Sequence, residues 1–317
     1  MHVSARSDNA ADKRAEKREP AAPSTSRSYL APALITVRDI PYTPLRASLS
    51  LGFERDGDTT RLVGRDHFGP LLVQKPFYPE GREVCQVVII HPPGGVVGGD
   101  QLQVTARVGN AASAQLATPG AAKWYKANGH VSHQNVMLEV SSGGSLEWFP
   151  QETIFFDNVN VELEHDVALG KDASYIGCEI LCFGRTASGE SFSGGEIRQR
   201  IGIRREGKLI WYEQLRLSGG SPAMRNPLLL AGNTVCATLV AVGQTASAAV
   251  LEAARESATV IARPGGQAGI SQLKGLVIAR YLGNSSQAAR RVMLDVWSHL
   301  RPVMLGRRAV VPRIWNT

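Results

Sequence analysis

The chain has 317 residues, 43% hydrophobic and 20% charged, a balance that supports a sizeable core and excludes wholesale disorder. At about 100–200 residues per domain, that length suits one large domain or two modest ones. The formal net charge of +7 suggests a nucleic-acid partner until it is divided along the chain. The first 28 residues carry six basic and four acidic side chains, and the segment from Arg290 to Thr317 carries six basic and one acidic, so the middle is near neutral. No nucleic-acid module or aromatic patch accompanies those basic ends, and no nucleic-acid partner is expected. The four cysteines, Cys85, Cys178, Cys182 and Cys236, are too few for a disulfide framework and form no CxxC. Met1 to Pro20 is polar and charged, unlike a secretory signal, and no apolar run reaches the length of a membrane span. A soluble, cytoplasmic protein with no membrane partner is the expectation.

Residues 1–28 mix charges with Pro, Ala and Ser and predict a disordered charged tail, followed by a single domain over 29–317. Ala47, Leu49, Leu51 and Phe53 then alternate with polar residues, and Asp56-Gly57 offers a hairpin turn. Glu83 to His91 is apolar on both faces, as in a strand buried on both sides. Leu102, Val104, Ala106 and Val108 alternate with wetter neighbours, as do Val159, Val161 and Leu163. Similar runs occupy 174–183, 196–204, 208–217 and 234–242. Helical spacing comes late, over Thr245 to Ala258 and from a cap at Asn284 or Ser285 to about Leu300, with Pro302 ending the helix. The fold class that follows is mainly β, with many short strands and a few α-helices, the longest near the C-terminus.

The densest local signal is His91-Pro92-Pro93-Gly94-Gly95-Val96-Val97-Gly98-Gly99-Asp100. Four glycines within six residues imply positive φ or very close backbone approach. No Gly-Lys-Ser/Thr follows, so this is no phosphate loop, and the next segment reads as strand rather than helix. The bland reading is a structural crossover between strands, yet the loop delivers an acid, Asp100, directly after a buried strand. Two further acids sit on apolar strand faces. Alternation places Glu213 with Leu209, Trp211, Leu215 and Leu217, and Glu179 with Tyr175, Leu181 and Phe183. A carboxylate there must be protonated, paired, or near water or metal. An arginine such as Arg185, Arg198 or Arg216 could pair with either, at even odds with a polar passage through an apolar interior. Cys178 and Cys182 share a face with Ile176 and Ile180 and read as core residues rather than ligands. His130 and His133 would point to opposite faces of a strand and make no joint site.

Several of these stretches follow one another in an order that resembles the urease accessory protein family UreD, also called UreH. They are Gly69 to Gly81, His91 to Asp100, Thr118-Pro119-Gly120-Ala121-Ala122-Lys123-Trp124-Tyr125 and Leu146-Glu147-Trp148-Phe149-Pro150-Gln151-Glu152. Gly189-Glu190-Ser191-Phe192, Arg291 to Trp297 and Pro312-Arg313-Ile314-Trp315 complete the set. The resemblance implies an irregular β-helix-like winding and a non-enzymatic scaffold. Such a scaffold binds UreF, recruits the GTPase UreG, docks on apo-urease and helps pass nickel to its active site through an internal tunnel. It also implies that Asp100, Glu179 and Glu213 adjoin that route, that no cofactor is tightly bound, and that nickel is only in transit. Trp297, Arg313 and Trp315, at the docked terminus, are the expected partner-binding residues. The alternative from another class is a β-helix hydrolase or lyase working through the same carboxylates.

Overall fold

Alternating apolar positions, repeated at every strand and separated by glycine-bearing turns, produce a winding of about four turns between two sheets. A computed structural model describes residues 42–316, and the compact unit begins at Thr43. The expected tail over 1–28 and a domain start at 29 lie outside the described residues. The unit opens with an antiparallel hairpin of β1 (Arg46–Asp56) and β2 (Thr59–Phe68), turning at Gly57-Asp58 with Gly57 at φ +60°. The two-residue β3 (Leu72–Val73) leads into β4 (Val84–Ile90), which is buried along nearly all its length.

From β4 the chain alternates between sheets. β5 (Gln101–Val108), β8 (Ser132–Val140), β11 (Val159–Leu169) and β13 (Gly195–Arg205) stack in parallel in one sheet. β4, β6 (Ser113–Ala117), β9 (Ser145–Phe149) and β12 (Ser174–Phe183) stack in parallel in the other. The short β7 (Ala122–Trp124) and β10 (Thr153–Phe155) pair in parallel at the bend between them. Antiparallel strands close the stack: β14 (Lys208–Ser218) on β13, and β15 (Val235–Val242) on β12. β16 (Gly266–Leu273) and β17 (Leu276–Gly283) extend the β15 edge.

Two helices cover the outer face of the β12 sheet. α1 (Ala248–Ala262) starts at Ser247, whose hydroxyl accepts from the Val250 amide, and α2 (Ser286–Leu305) starts at Ser285, which accepts from the Ala288 amide. Two apolar cores result, one between the sheets and one between the β12 sheet and the helices. Cys178 and Cys182 belong to the second with Ile176 and Ile180, as alternation predicts.

Two local expectations need correction. Pro302 does not end the last helix but lies inside it, and the stop is Gly306 at φ +66°. An internal proline costs about 3 kcal/mol, and the burial of Arg301 and Met304 around it keeps the helix going. Leu209 does not share the Glu213 face. A register shift beside Ile203/Arg204 turns it outward, leaving it 53% exposed.

The seam that holds α2 is ionic. Arg301 is fully buried, and its guanidinium donates to Glu147 at 2.8 and 3.0 Å, to Glu80 at 2.9 Å and to the Arg308 carbonyl. The Trp297 indole N–H adds a 2.7 Å bond to Glu147. Removing one member of a buried pair strands the other, at about 3–5 kcal/mol. Arg301→Ala should therefore lower the unfolding free energy by about that amount, read by urea denaturation. Arg301→Met combined with Glu147→Leu and Glu80→Gln, which leaves neither carboxylate stranded, should recover most of the loss.

Candidate functional site

The proline–glycine loop is held by close approach more than by unusual torsion. Of its four glycines only Gly99 has positive φ, at +93°. A Cβ on Gly95 would lie 2.6 Å from the Tyr125 ring, and one on Gly98 would lie 2.5 Å from the Asn128 amide oxygen. Val96 bridges to β7, donating to the Lys123 carbonyl at 2.8 Å and accepting from the Tyr125 amide at 2.8 Å. Pro92 and Pro93 are exposed at the outer turn.

Asp100 is 6% exposed, and each of its oxygens accepts a backbone amide at 2.9 Å, from Leu45 and from Val97. It ties the loop to the start of β1 and is committed to that task. Beside it, burial holds the His91 imidazole below its usual pKa, against the weaker opposing pull of Asp100. The His91 Nε2 atom is buried and has no hydrogen-bond partner among the described residues.

Behind this loop a cavity of about 230 Å³ runs between the two sheets. Its lining joins His91, Gly94 and Gly95 to Trp148, His165, Glu179 and Gln199. Glu179 faces inward from β12, as its alternation predicts, but no arginine among the described residues meets it. Its carboxylate contacts His165 Nδ1 at 3.2 Å and accepts from the Gln199 side chain. His165, 5% exposed, also meets the Tyr175 hydroxyl at 3.3 Å through Nε2 and lies edge-on to Trp148 at 5.6 Å. Sequence reasoning missed His165 and Gln199. The signal was present, since His165 follows Val159, Val161 and Leu163 at inward spacing and Gln199 lies between Ile197 and Ile201.

The polar positions continue across the sheet. Glu179 pairs in register with Thr238 on β15, and Thr238 with Arg280 on β17. Arg280 reaches over to Glu213 on β14 at 2.7 Å, so of the two acids Glu213 has an arginine partner among the described residues, and it is none of Arg185, Arg198 and Arg216, which pair with Glu190, Glu162 and Glu196. The second carboxylate oxygen of Glu213 is buried without a hydrogen-bond partner among the described residues. Beside Glu213, burial followed by the Glu213 charge pushes the Cys236 thiol up to about 12, and on the helix-covered face of the same sheet burial pushes Cys182 up to about 12. Among the described residues, no three His, Cys, Asp or Glu side chains gather to hold a metal ion.

The expected partner-binding tryptophans are internal. Trp297 is fully buried, and Trp315 packs on Phe149 and Trp297 at ring separations of 5.3 and 6.0 Å. They anchor the C-terminal segment and leave its outer surface to any partner. The side chain of Arg313 lies outside the described part of the structure. His133 pairs with Glu162 at 3.4 Å, away from the cavity lining.

The sequence profile of the family described as UreD urease accessory protein matches residues 45–316. This chain belongs to that family. A protein named urease accessory protein UreD from Nitrosospira multiformis is 58% identical over 275 residues, covering 87% of this chain and 99% of its own. Its namesake from Janthinobacterium sp. (strain Marseille) is 57% identical over 272 residues, 86% of this chain and 92% of its own. The namesake from Dechloromonas aromatica is 46% identical over 274 residues, at 86% and 94% coverage. Membership gives the Leu146 to Glu152 stretch of this UreD chain a concrete reading. Glu147 holds Arg301, Glu152 holds Arg290 at 2.5 Å, and Trp148 walls the cavity beside His165.

Two outcomes follow for this site. Asp100→Ala should cost about 1–3 kcal/mol by stranding two amides, measured by thermal and urea unfolding. Because burial keeps the thiols protonated, the folded protein should react negligibly with a thiolate-selective reagent at pH 8. All four cysteines should react once the chain is unfolded.

Proposed function

We propose that this protein is a non-enzymatic scaffold of urease maturation that passes nickel through its interior to the urease active site. It joins UreF and the GTPase UreG, docks on apo-urease, and acts in the cytoplasm. Family membership supports the role in urease maturation. The observation that supports the passage is a carboxylate, Glu179, at the wall of a cavity inside an otherwise apolar winding, with polar side chains leading on to Glu213.

The donor chemistry suits transit. Nickel(II) stands high in the Irving–Williams order, and a His/Cys cage would hold it too firmly to release. Single carboxylates, amide groups and water bind weakly enough for onward movement, as ion pores require. The partners of Glu179, an amide and an imidazole rather than a guanidinium, support this reading. Glu213, opposite Arg280 at the far end of the row, keeps one carboxylate oxygen unpartnered. A carboxylate-dependent hydrolase or lyase gains no support from the same geometry. Asp100, Glu179 and Glu213 are each committed to a different set of partners.

Glu179→Gln keeps the volume and removes the charge. The variant should stay folded and co-purify with UreF and UreG, while urease matured in its presence should take up nickel about tenfold more slowly, the factor given by about 1.4 kcal/mol of lost ion stabilisation. Metal analysis of the purified urease reads this directly. Normal nickel content with Glu179→Gln would sink the passage.

A further inference from the structure

The interior polar residues lie in two facing rows that run toward one open edge of the winding. On one sheet His165, Ile201 and Glu213 stand in register across β11, β13 and β14. On the other Glu179, Thr238 and Arg280 stand in register across β12, β15 and β17. His165 meets Glu179 at the inner end, and Glu213 meets Arg280 at the outer end, at 2.7 Å. The cavity reaches Glu179 and Gln199, on the strands that adjoin β15 and β14. One strand spacing beyond, about 4.8 Å, β14 is the last strand of its sheet. Along this edge Glu213 and Leu215 are only half-buried, as are Cys236 and Thr238 on the other sheet, whereas inward residues of β8 such as Val136 and Leu138 are buried. The sheets thus leave a slot at the edge, and the Arg280–Glu213 pair spans it.

We propose that this slot is a second mouth of the cavity and that Arg280 is the bar across it, turning outward to let the ion leave. The inference rests on the reading that nickel travels through this cavity, and it adds where the ion leaves and what holds it back. The guanidinium makes one bond to Glu213 and is 52% exposed, so water competes for it from outside. An ion pair of that exposure is weak and is readily exchanged for solvent. Its release moves one side chain and no backbone, because β17 stays paired to β15 on one side and β16 on the other. A buried pair such as Arg301 with Glu147 could not serve, since parting it would strand a charge in the core.

Cys236 reports the state of the slot, because its thiol feels the charges of both Glu213 and Arg280. The full-length chain is treated with iodoacetamide at pH 8, and the labelled cysteines are located by mass spectrometry. Arg280→Gln should label Cys236 about fivefold faster than wild type, the factor an exposed ion pair can supply. Losing the positive charge alone would raise the thiol pKa and slow the reaction, so a faster rate reports access. Arg280→Lys should restore the wild-type rate, since a point charge can make the single bond. Cys85, buried in the inner core, should stay unlabelled in all three chains. Equal Cys236 rates in wild type and Arg280→Gln overturn the bar. Because the adduct fills the slot, Arg280→Gln labelled at Cys236 should deliver nickel to urease about tenfold more slowly than the same variant unlabelled, the loss expected of Glu179→Gln. Undiminished delivery overturns the mouth. If Arg280→Gln labels at Cys85 as well, it has unfolded, and wild type labelled slowly at Cys236 decides by delivery alone. Should Glu179→Gln slow delivery while the adduct does not, the passage stands and only this mouth falls. If neither slows it, both fall.

Discussion

Parallel pairing without register shifts commits every second side chain of this winding to the space between its two sheets. From β5 through β13 the parallel ladder carries no bulge, so a polar residue at an inward position has no local way out to solvent. His165 and Gln199 are held in the interior by this constraint, and Glu179 meets them from β12, whose antiparallel ladder with β15 likewise carries no register shift. A strand slipped by one residue would turn the same side chains to water and the adjacent apolar or outward ones inward. The interior polar group and the solenoid register are thus one specification.

The helices depend on the same rule applied to the opposite face. Glu147 points away from the cavity, toward α2, while its neighbours Leu146 and Trp148 line the inner core. An anion under a helix needs a cation above it, and Arg301 supplies one with contacts to both Glu147 and Glu80. Such a pair gives little net stability relative to apolar residues, because desolvating both charges opposes their attraction. What it provides is a single seat for the helix. The C-terminal segment then folds back so that Trp315 reaches Trp297 and Phe149. The two sides of the β12 sheet therefore carry separate tasks.

Much of this was legible because a strand's period is short and local. Alternation alone placed Glu179 among Tyr175, Leu181 and Phe183, and Cys178 with Ile180 on the other side. It could not name the partners. His165 lies 14 residues before Glu179, on the opposite sheet, and their meeting depends on how one turn stacks over the next. Arg301 and Glu147 are 154 residues apart, and nothing local links them. Leu209 was misplaced because a bulge leaves no trace in an alternating pattern. Pro302 misled because a proline's local cost was weighed without the burial that surrounds it. The burial of Trp297 and Trp315 escaped the sequence for a related reason: large aromatics near a terminus look available until the packing that covers them is known.

On the proposed function, transport sets opposing demands that this arrangement meets in sequence. An ion entering an apolar interior loses hydration that the wall must partly replace, or it will not enter. Replacing too much of it creates a well from which the ion does not leave. Spacing the donors resolves the conflict, because a carboxylate held by an amide and an imidazole and a second carboxylate facing an arginine never act as one cage. The Arg280 guanidinium beside Glu213 then has a use beyond pairing. A fixed positive charge there lowers the affinity of that carboxylate for a cation, which favours release at the end of the row over retention.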